Sequence, residues 1–192
     1  KQGVVYITGN NSEIYANIGA EGKTFKALVL DGAAPITVKL TEGKSVFVDA
    51  VAGGVGLSAG NNQNNVLELY NNSAIIGRVS TASNGNGIIS VKGNSSISKG
   101  VIINPNAGEI IDQIRFDTAN TLTLGVNTAK TNNATGINFL EDGTLELKGT
   151  EDFAFDKTIA TKVDANGTGT IRANVAGISK TLTFTGQIGD AL

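Results

Sequence analysis

The side chains here that could do acid–base chemistry are carboxylates. The chain carries 17 Asp and Glu, but no His and no Cys. Without imidazole or thiol, the Ser-His-Asp and Cys-His arrangements of nucleophilic catalysis cannot be assembled. An ordinary zinc or iron site loses its usual ligands for the same reason. Two acids flanking a glycosidic bond are enough for sugar hydrolysis. The candidate pairs are Glu109 with Asp112, Glu141 with Asp142, and Glu151 with Asp152. Each pair stands beside turn residues, and solvated acids at turns account for all three. A sugar cleft usually adds aromatic side chains, yet Tyr6, Tyr15 and Tyr70 are far apart in the sequence. Stacking of distant segments is what could bring some of them together.

Other motifs carry less. "IGAEGKTF" (18–25) ends like a phosphate loop, but Asn17 stands where that loop needs its first Gly, and "FKALVLDG" reads as a strand rather than a helix. "GGVGLSAGN" (53–61) has Ser58 where the calcium-binding nonapeptide needs Asp. "DANGTGT" (164–170) lacks the oxygen ligands of an EF-hand loop. No catalytic, cofactor-binding or metal-ligating residue is therefore assigned, and no cofactor is expected. Asn10, Asn71, Asn94, Asn133 and Asn166 begin N-x-S/T triplets. These matter only where the source glycosylates such sites.

Net charge is −2 with a pI near 5.2, and Lys and Arg are scattered singly, so there is no basic stripe for nucleic acid or anionic lipid. No run of 18 apolar residues exists to span a bilayer as a helix. With 40% apolar and only 5% aromatic residues, the core must come from Ile, Val, Leu and Ala. β-Branched side chains suit pleated surfaces. The 25 Gly and the many Asn, Thr and Ser supply turns. Cysteine's absence allows either redox compartment.

Such residues are positioned by elements that repeat. "VLELYNNSAIIGRV" (66–79) is written again as "IISVKGNSSISKGV" (88–101). Asn72 falls on Asn94, Ser73 on Ser95, Ile75 on Ile97 and Val79 on Val101. Val66-Leu67 falls on Ile88-Ile89, and Ile110-Ile111 stands the same distance further along. "NTLTLG" (120–125) recurs as "GTLELKG" (143–149), with "GTIRANV" (169–175) and "TLTFTG" (181–186) as looser relatives. Apolar residues two apart mark strands with one buried face. "ALVLDG", "ITVKLTEG" and "SVFVDAV" read the same way. A leucine-rich repeat has a similar period, but its recurring Leu line is absent.

The pattern predicts an all-β protein: a right-handed parallel β-helix of about 20–25 residues per coil. Like residues then stack on successive levels ~4.8 Å apart. Ile75 sits under Ile97 inside, and Asn72 under Asn94 in an Asn ladder at a bend. The alternative is a β-sandwich, which the "DG" pairs at 31–32 and 142–143 and the "NG" pairs at 84–87 and 166–167 would serve as hairpin turns. In "EDFAFDKTIATKVD" Phe153 and Phe155 alternate like a strand, while Phe155, Ile159 and Val163 recur like a helix. One solenoid domain, 1–192, is expected, as an internal piece of a longer chain. Three polar segments, 59–65, 80–87 and 127–136, are expected to protrude as loops.

"GTLELKG", "NTLTLG" and "TLTFTGQIGD" (181–190) resemble the Gly/Thr-Leu-x-Leu/Phe-x-Gly lines of Gram-negative autotransporter passengers. The Asn- and Thr-rich style is similar to the rickettsial surface cell antigens of the outer membrane protein A and B type. That resemblance implies a β-helix exported through a C-terminal outer-membrane barrel, which these residues do not include, and displayed outside the cell. Cysteine scarcity fits threading through a barrel. The family implies adhesion to and entry into host cells, and no shared catalytic residues. The expected function is therefore a surface antigen or adhesin module rather than an enzyme. A monomeric fragment would meet a host cell-surface protein or glycan, without nucleic acid or small-molecule cofactor. The expected contact loops carry Asn61, Asn62, Gln63, Asn64, Asn65, Asn84, Gly85, Asn86, Lys130, Asn132 and Asn133. The alternatives are a carboxylate-dependent polysaccharide lyase or glycosidase, and a surface-layer building block.

Overall fold

A computed structural model describes residues 3–49, 53–58, 64–81, 87–98, 111–126, 131–133, 136–149, 153–155, 159–161, 168–174, 181–184 and 186–191. Every pairing between its strands is parallel. Among the described residues the one antiparallel contact is an isolated bridge from Ala20 to Lys23. The sandwich alternative needs antiparallel neighbours and is set aside.

The chain visits its sheets in a fixed order, as a coil does. The longest sheet has eight strands: Ser12–Ile14, Thr37–Leu40, Val66–Leu69, Ile88–Val91, Gln113–Phe116, Gly136–Phe139, Ile159–Thr161 and Ile188–Ala191. From Thr37–Leu40 to Ile159–Thr161, each strand of it is followed by one of a six-stranded sheet: Ser45–Phe47, Ser73–Ile76, Ser95–Ile97, Thr121–Val126, Thr144–Gly149 and Thr170–Asn174. The third place is taken first by a four-stranded sheet (Val4–Ile7, Ala27–Leu30, Gly54–Gly56, Val79–Ser80) and later by a three-stranded one (Thr131–Asn133, Phe153–Phe155, Leu182–Phe184). These stacked parallel sheets make a parallel β-helix.

Register follows the apolar doublets where coils are equal in length. Val66 pairs with Ile88 and Leu67 with Ile89. Ser73 lies on Ser95, and Ile75 on Ile97. Leu122 and Leu124 lie on Leu145 and Leu147. The third doublet does not continue the series. Ile88 pairs with Gln113 and Ile89 with Ile114, so this coil is longer than the doublets imply. Ile111 is buried just ahead of that strand, and Ile110 lies outside the described residues. The inward places are claimed by Ile114 and Phe116, and lengthening a turn costs little. The coil that carries Thr37 onto Val66 is longer still.

Inside, Val38, Leu67, Ile89, Ile114 and Ile137 form one buried column, with Leu40, Leu69, Val91, Phe116 and Phe139 beside it. Phe116 and Phe139 are stacked, ring centroids 4.7 Å apart at 17°. The core therefore uses aromatic rings at two levels, beyond the aliphatic set that the composition suggests. Glycine makes room for them. A Cβ on Gly143 would lie 2.5 Å from Phe116, and one on Gly169 (φ +85°) 2.3 Å from Phe139.

Asparagine shapes the corners. Asn11 and Asn72 both have φ of 56°, the left-handed conformation Asn tolerates, each one residue before a strand. Among the described residues the side chains of Asn72 and Asn94 do not bond to each other as a ladder would require. Side-chain carbonyls accept main-chain N–H groups from the next level: Asn10 Oδ1 from Thr37 (2.8 Å), Asn71 Oδ1 from Asn94 (3.0 Å), Asn94 Oδ1 from Thr121 (2.8 Å). A bend leaves such donors without a strand partner, and a short amide replaces it.

Two ambiguous segments resolve into this scheme. Phe153–Phe155 and Ile159–Thr161 are strands, as the alternation of Phe153 and Phe155 indicates, while Val163 lies outside the described residues. "IGAEGKTF" is a tight turn closed by the Ala20–Lys23 pair, with Gly22 at φ 71°, leading into the strand Ala27–Leu30.

Candidate functional site: the outer face of the eight-stranded sheet

Strand alternation sends every second residue of the long sheet outward. Parallel register then aligns Glu13, Lys39, Glu68, Ser90, Arg115 and Asn138 in one row along the stack. The residue two places on, one past the end of each strand, gives a second row: Tyr15, Thr41, Tyr70, Lys92 and Asp117. Neighbours in a row are ~4.8 Å apart, which brings opposite charges within reach of each other.

The charges pair along the stack. Lys39 Nζ lies 2.8 Å from Glu13 Oε1. Lys92 Nζ lies 3.9 Å from Glu68 Oε1 and 3.3 Å from Asp117 Oδ2, while Arg115 Nε is 2.8 Å from Asp117 Oδ1. Ser90 donates its hydroxyl to Asp117 Oδ2. Tyr15 donates its phenol to Glu13 and Tyr70 donates to Glu68, the latter at 3.2 Å. Three cations thus meet three carboxylates, and two carboxylates each carry a tyrosine.

Titration follows from these contacts. The Glu13 carboxylate, through its hydrogen bond and then its charge, holds the Lys39 ammonium above its usual value. Burial, reinforced by the Glu68 charge, raises the Tyr70 phenol, which stays a neutral donor at physiological pH. Burial pushes Asp117 up, but hydrogen bonds from Ser90 and Arg115 and the Arg115 and Lys92 charges outweigh it, so its carboxyl sits below the usual range. The Asp117 side chain is only 12% exposed, whereas Tyr15 is 70% exposed.

The outer face of the six-stranded sheet is different. Ala74, Ser96 and Thr123, with Asn72, Asn94 and Thr121 at the corner, line an open groove of about 400 Å³ without a charged side chain. Behind its inward side, Ser73 and Ser95 stack in register with hydroxyls that find no hydrogen-bond partner. Further along, Glu146 accepts from Thr123 (3.0 Å) and pairs with Lys148 (3.1 Å). The Lys148 hydrogen bond is the main reason its carboxyl is lowered, against a smaller opposing effect of burial.

The polar segments named from sequence fall out unevenly. Asn61, Asn62, Gln63, Asn84, Gly85, Asn86 and Lys130 lie outside the described residues. Asn64 is exposed, and its side-chain carbonyl accepts from Gly87 N at 3.2 Å. Asn65 is a correction: it is fully buried and presents nothing to a partner. Its amide donates to Leu30 O (3.1 Å) and Leu57 O (2.9 Å), and its carbonyl accepts from Ile36 N (2.9 Å). Asn132 and Asn133 are likewise corrected from loop to strand, within Thr131–Asn133, which pairs with Phe153–Phe155.

The acidic pairs are not gathered. Glu109, Glu151 and Asp152 lie outside the described residues. Asp112 precedes a strand of the long sheet and accepts from Gln113 (3.2 Å). Exposed Glu141 and Asp142 follow the strand on the next level, at the opposite edge, and Asp142 receives Gly169 N at 3.1 Å. Among the described residues, no three acids cluster as a metal ion would require. Stacking does bring Tyr15 and Tyr70 into one row, and the acids passed over were their partners Glu13 and Glu68. Their signal is a line written twice, Glu13-Ile14-Tyr15 and Glu68-Leu69-Tyr70, at the end of a strand each time.

Fold and face together define a class: a parallel β-helix whose longest sheet carries a paired-charge row bordered by tyrosines. No family model, curated protein or solved structure matches the chain, so this class is as far as resemblance between known molecules carries it.

Proposed function

We propose that this chain is an adhesive module displayed at a bacterial cell surface, part of an autotransporter passenger whose C-terminal barrel anchors it in the outer membrane. A host-cell surface molecule is its partner. The observation that carries the reading is the outer face of the eight-stranded sheet. Five side chains, Glu13, Tyr15, Lys39, Glu68 and Tyr70, are held at adjoining levels of a stiff stack. A rigid platform loses little entropy when it binds, and stacked coils present extended surfaces of this kind. The "GTLELKG"-type lines are the second support.

The test is binding of the fluorescently labelled protein to cultured host epithelial cells, read by flow cytometry. Saturable binding is expected, reduced at least fivefold by the double change Glu13→Lys with Glu68→Lys. Ser96→Asp, on the other long sheet, is expected to leave it unchanged. Absence of saturable binding by the parent protein would overturn the reading.

A further inference from the structure

We infer that the Tyr15–Tyr70 segment of this face is a subsite for a neutral oligosaccharide. The inference rests on the adhesive reading and names the chemistry of its partner.

Tyr15 and Tyr70 occupy the same row two levels apart, with Thr41 between them. Thr41 N bonds Ile14 O, and Tyr70 N bonds Leu40 O. Two levels span ~10 Å, the scale of two linked pyranose rings rather than one. Thr41 is short and bonds back to Ile14 O at 2.6 Å rather than reaching toward either phenol. Aromatic side chains with one wet polar end suit surfaces that are partly apolar and partly hydroxylated, as a sugar's are.

The carboxylates supply direction. Glu13 and Glu68 each hold a phenol on one oxygen and face a Lys with the other, the Lys92 contact being long at 3.9 Å. Carboxylate oxygens accept more than one hydrogen bond. Sugar hydroxyls can therefore join without displacing the existing pairs. Hydrogen bonds to charged acceptors are also the stronger kind.

Charge matching decides which sugar. Lys39, Lys92 and Arg115 are all committed to Glu13, Glu68 and Asp117. Each of these cations already faces a carboxylate, so an anionic glycan that reached one would meet the Glu13, Glu68 or Asp117 charge beside it. A neutral chain meets no such cost. A protein partner is disfavoured by size, because five side chains over three levels fall well short of the ~800 Å² per partner of a stable interface.

The chain has three Tyr and no Trp, so its ultraviolet fluorescence reports directly on these rings. The protein is titrated with neutral oligosaccharides covering hexose, N-acetylhexosamine and deoxyhexose units in both anomeric linkages. Heparin and polysialic acid serve as acidic probes. At least one neutral oligomer is expected to change tyrosine emission saturably, with affinity falling tenfold or more in Tyr15→Ala and in Tyr70→Ala. Tyr6→Ala, on the four-stranded sheet, is expected to leave it unchanged. Tyr15→Phe keeps the ring and is expected to restore most of the affinity. No response from any neutral oligomer, tighter binding of the acidic probes, or binding that survives both Ala variants would each overturn the inference. Cell binding by the parent that persists in Tyr15→Ala and Tyr70→Ala overturns the sugar subsite and spares the adhesive module. Sugar binding without cell binding does the reverse.

Discussion

The two long sheets share an inner plan and diverge outside. Inward, Leu67 on Ile89 in one and Ile75 on Ile97 in the other are equally buried aliphatic columns. Outward, over the same three levels, the eight-stranded sheet places Glu68, Ser90 and Arg115, while the six-stranded sheet places Ala74, Ser96 and Thr123. Stacking constrains the interior on every level, because each side chain must fit those above and below. The exterior obeys only strand alternation. The difference in charge lies on the exterior, and that is where chemistry distinct from packing is to be found.

The comparison can be broken at its inner columns first. Ile97→Asp and Ile89→Asp each place an unpaired charge in the core and should cost about 3–5 kcal/mol, similarly for both sheets, by urea denaturation. A sheet that tolerated its change would not share the inner plan. Asn65 is a polar side chain fully buried inside. Asn65→Leu leaves the Leu30 and Leu57 carbonyls and the Ile36 N–H without their partner, a loss of about 3 kcal/mol or more. A shift in the denaturation midpoint without a change of slope would locate that loss in the native state.

The outer faces should respond less, and unequally. Asp117→Asn removes charge from contacts with Ser90, Arg115 and Lys92 and should cost roughly 1–2 kcal/mol. Asp117 is lowered in the folded state, so its contribution is complete above the ordinary carboxylate range and disappears as pH falls through its folded value. Stability of the parent should therefore drop below about pH 4, and Asp117→Asn should flatten that limb. Lys39 acts at the other end: its contribution is complete below its ordinary value and is lost as pH climbs past it. Ser96→Asp, in the neutral groove, should change stability by about 0.5 kcal/mol or less, like other surface substitutions.

Much of the fold was legible. Alternation in "VLEL", "SVF" and "TLELKG" located strands, and the recurrence of like lines placed Ile75 on Ile97 and Leu122 on Leu145. The site was less so. Glu13 meets Lys39, and Lys39 meets Glu68, across coils that differ in length from each other and from the repeated lines. No single period connects the three. Asn64 and Asn65 look alike in a run of amides, yet one is exposed and the other is sealed among three main-chain groups.

By itself the sequence determined which residues face in and which face out, because alternation is a property of the extended backbone and needs no distant partner. It also determined that levels stack, because aliphatic doublets recur too often for one strand to bury alone. Only the tertiary structure decided which levels touch. Turns of different length cost nearly the same, so coil length drifts freely and the interior sets the register through shape. The meeting of Tyr15, Glu13, Lys39, Glu68 and Tyr70 is a product of that register.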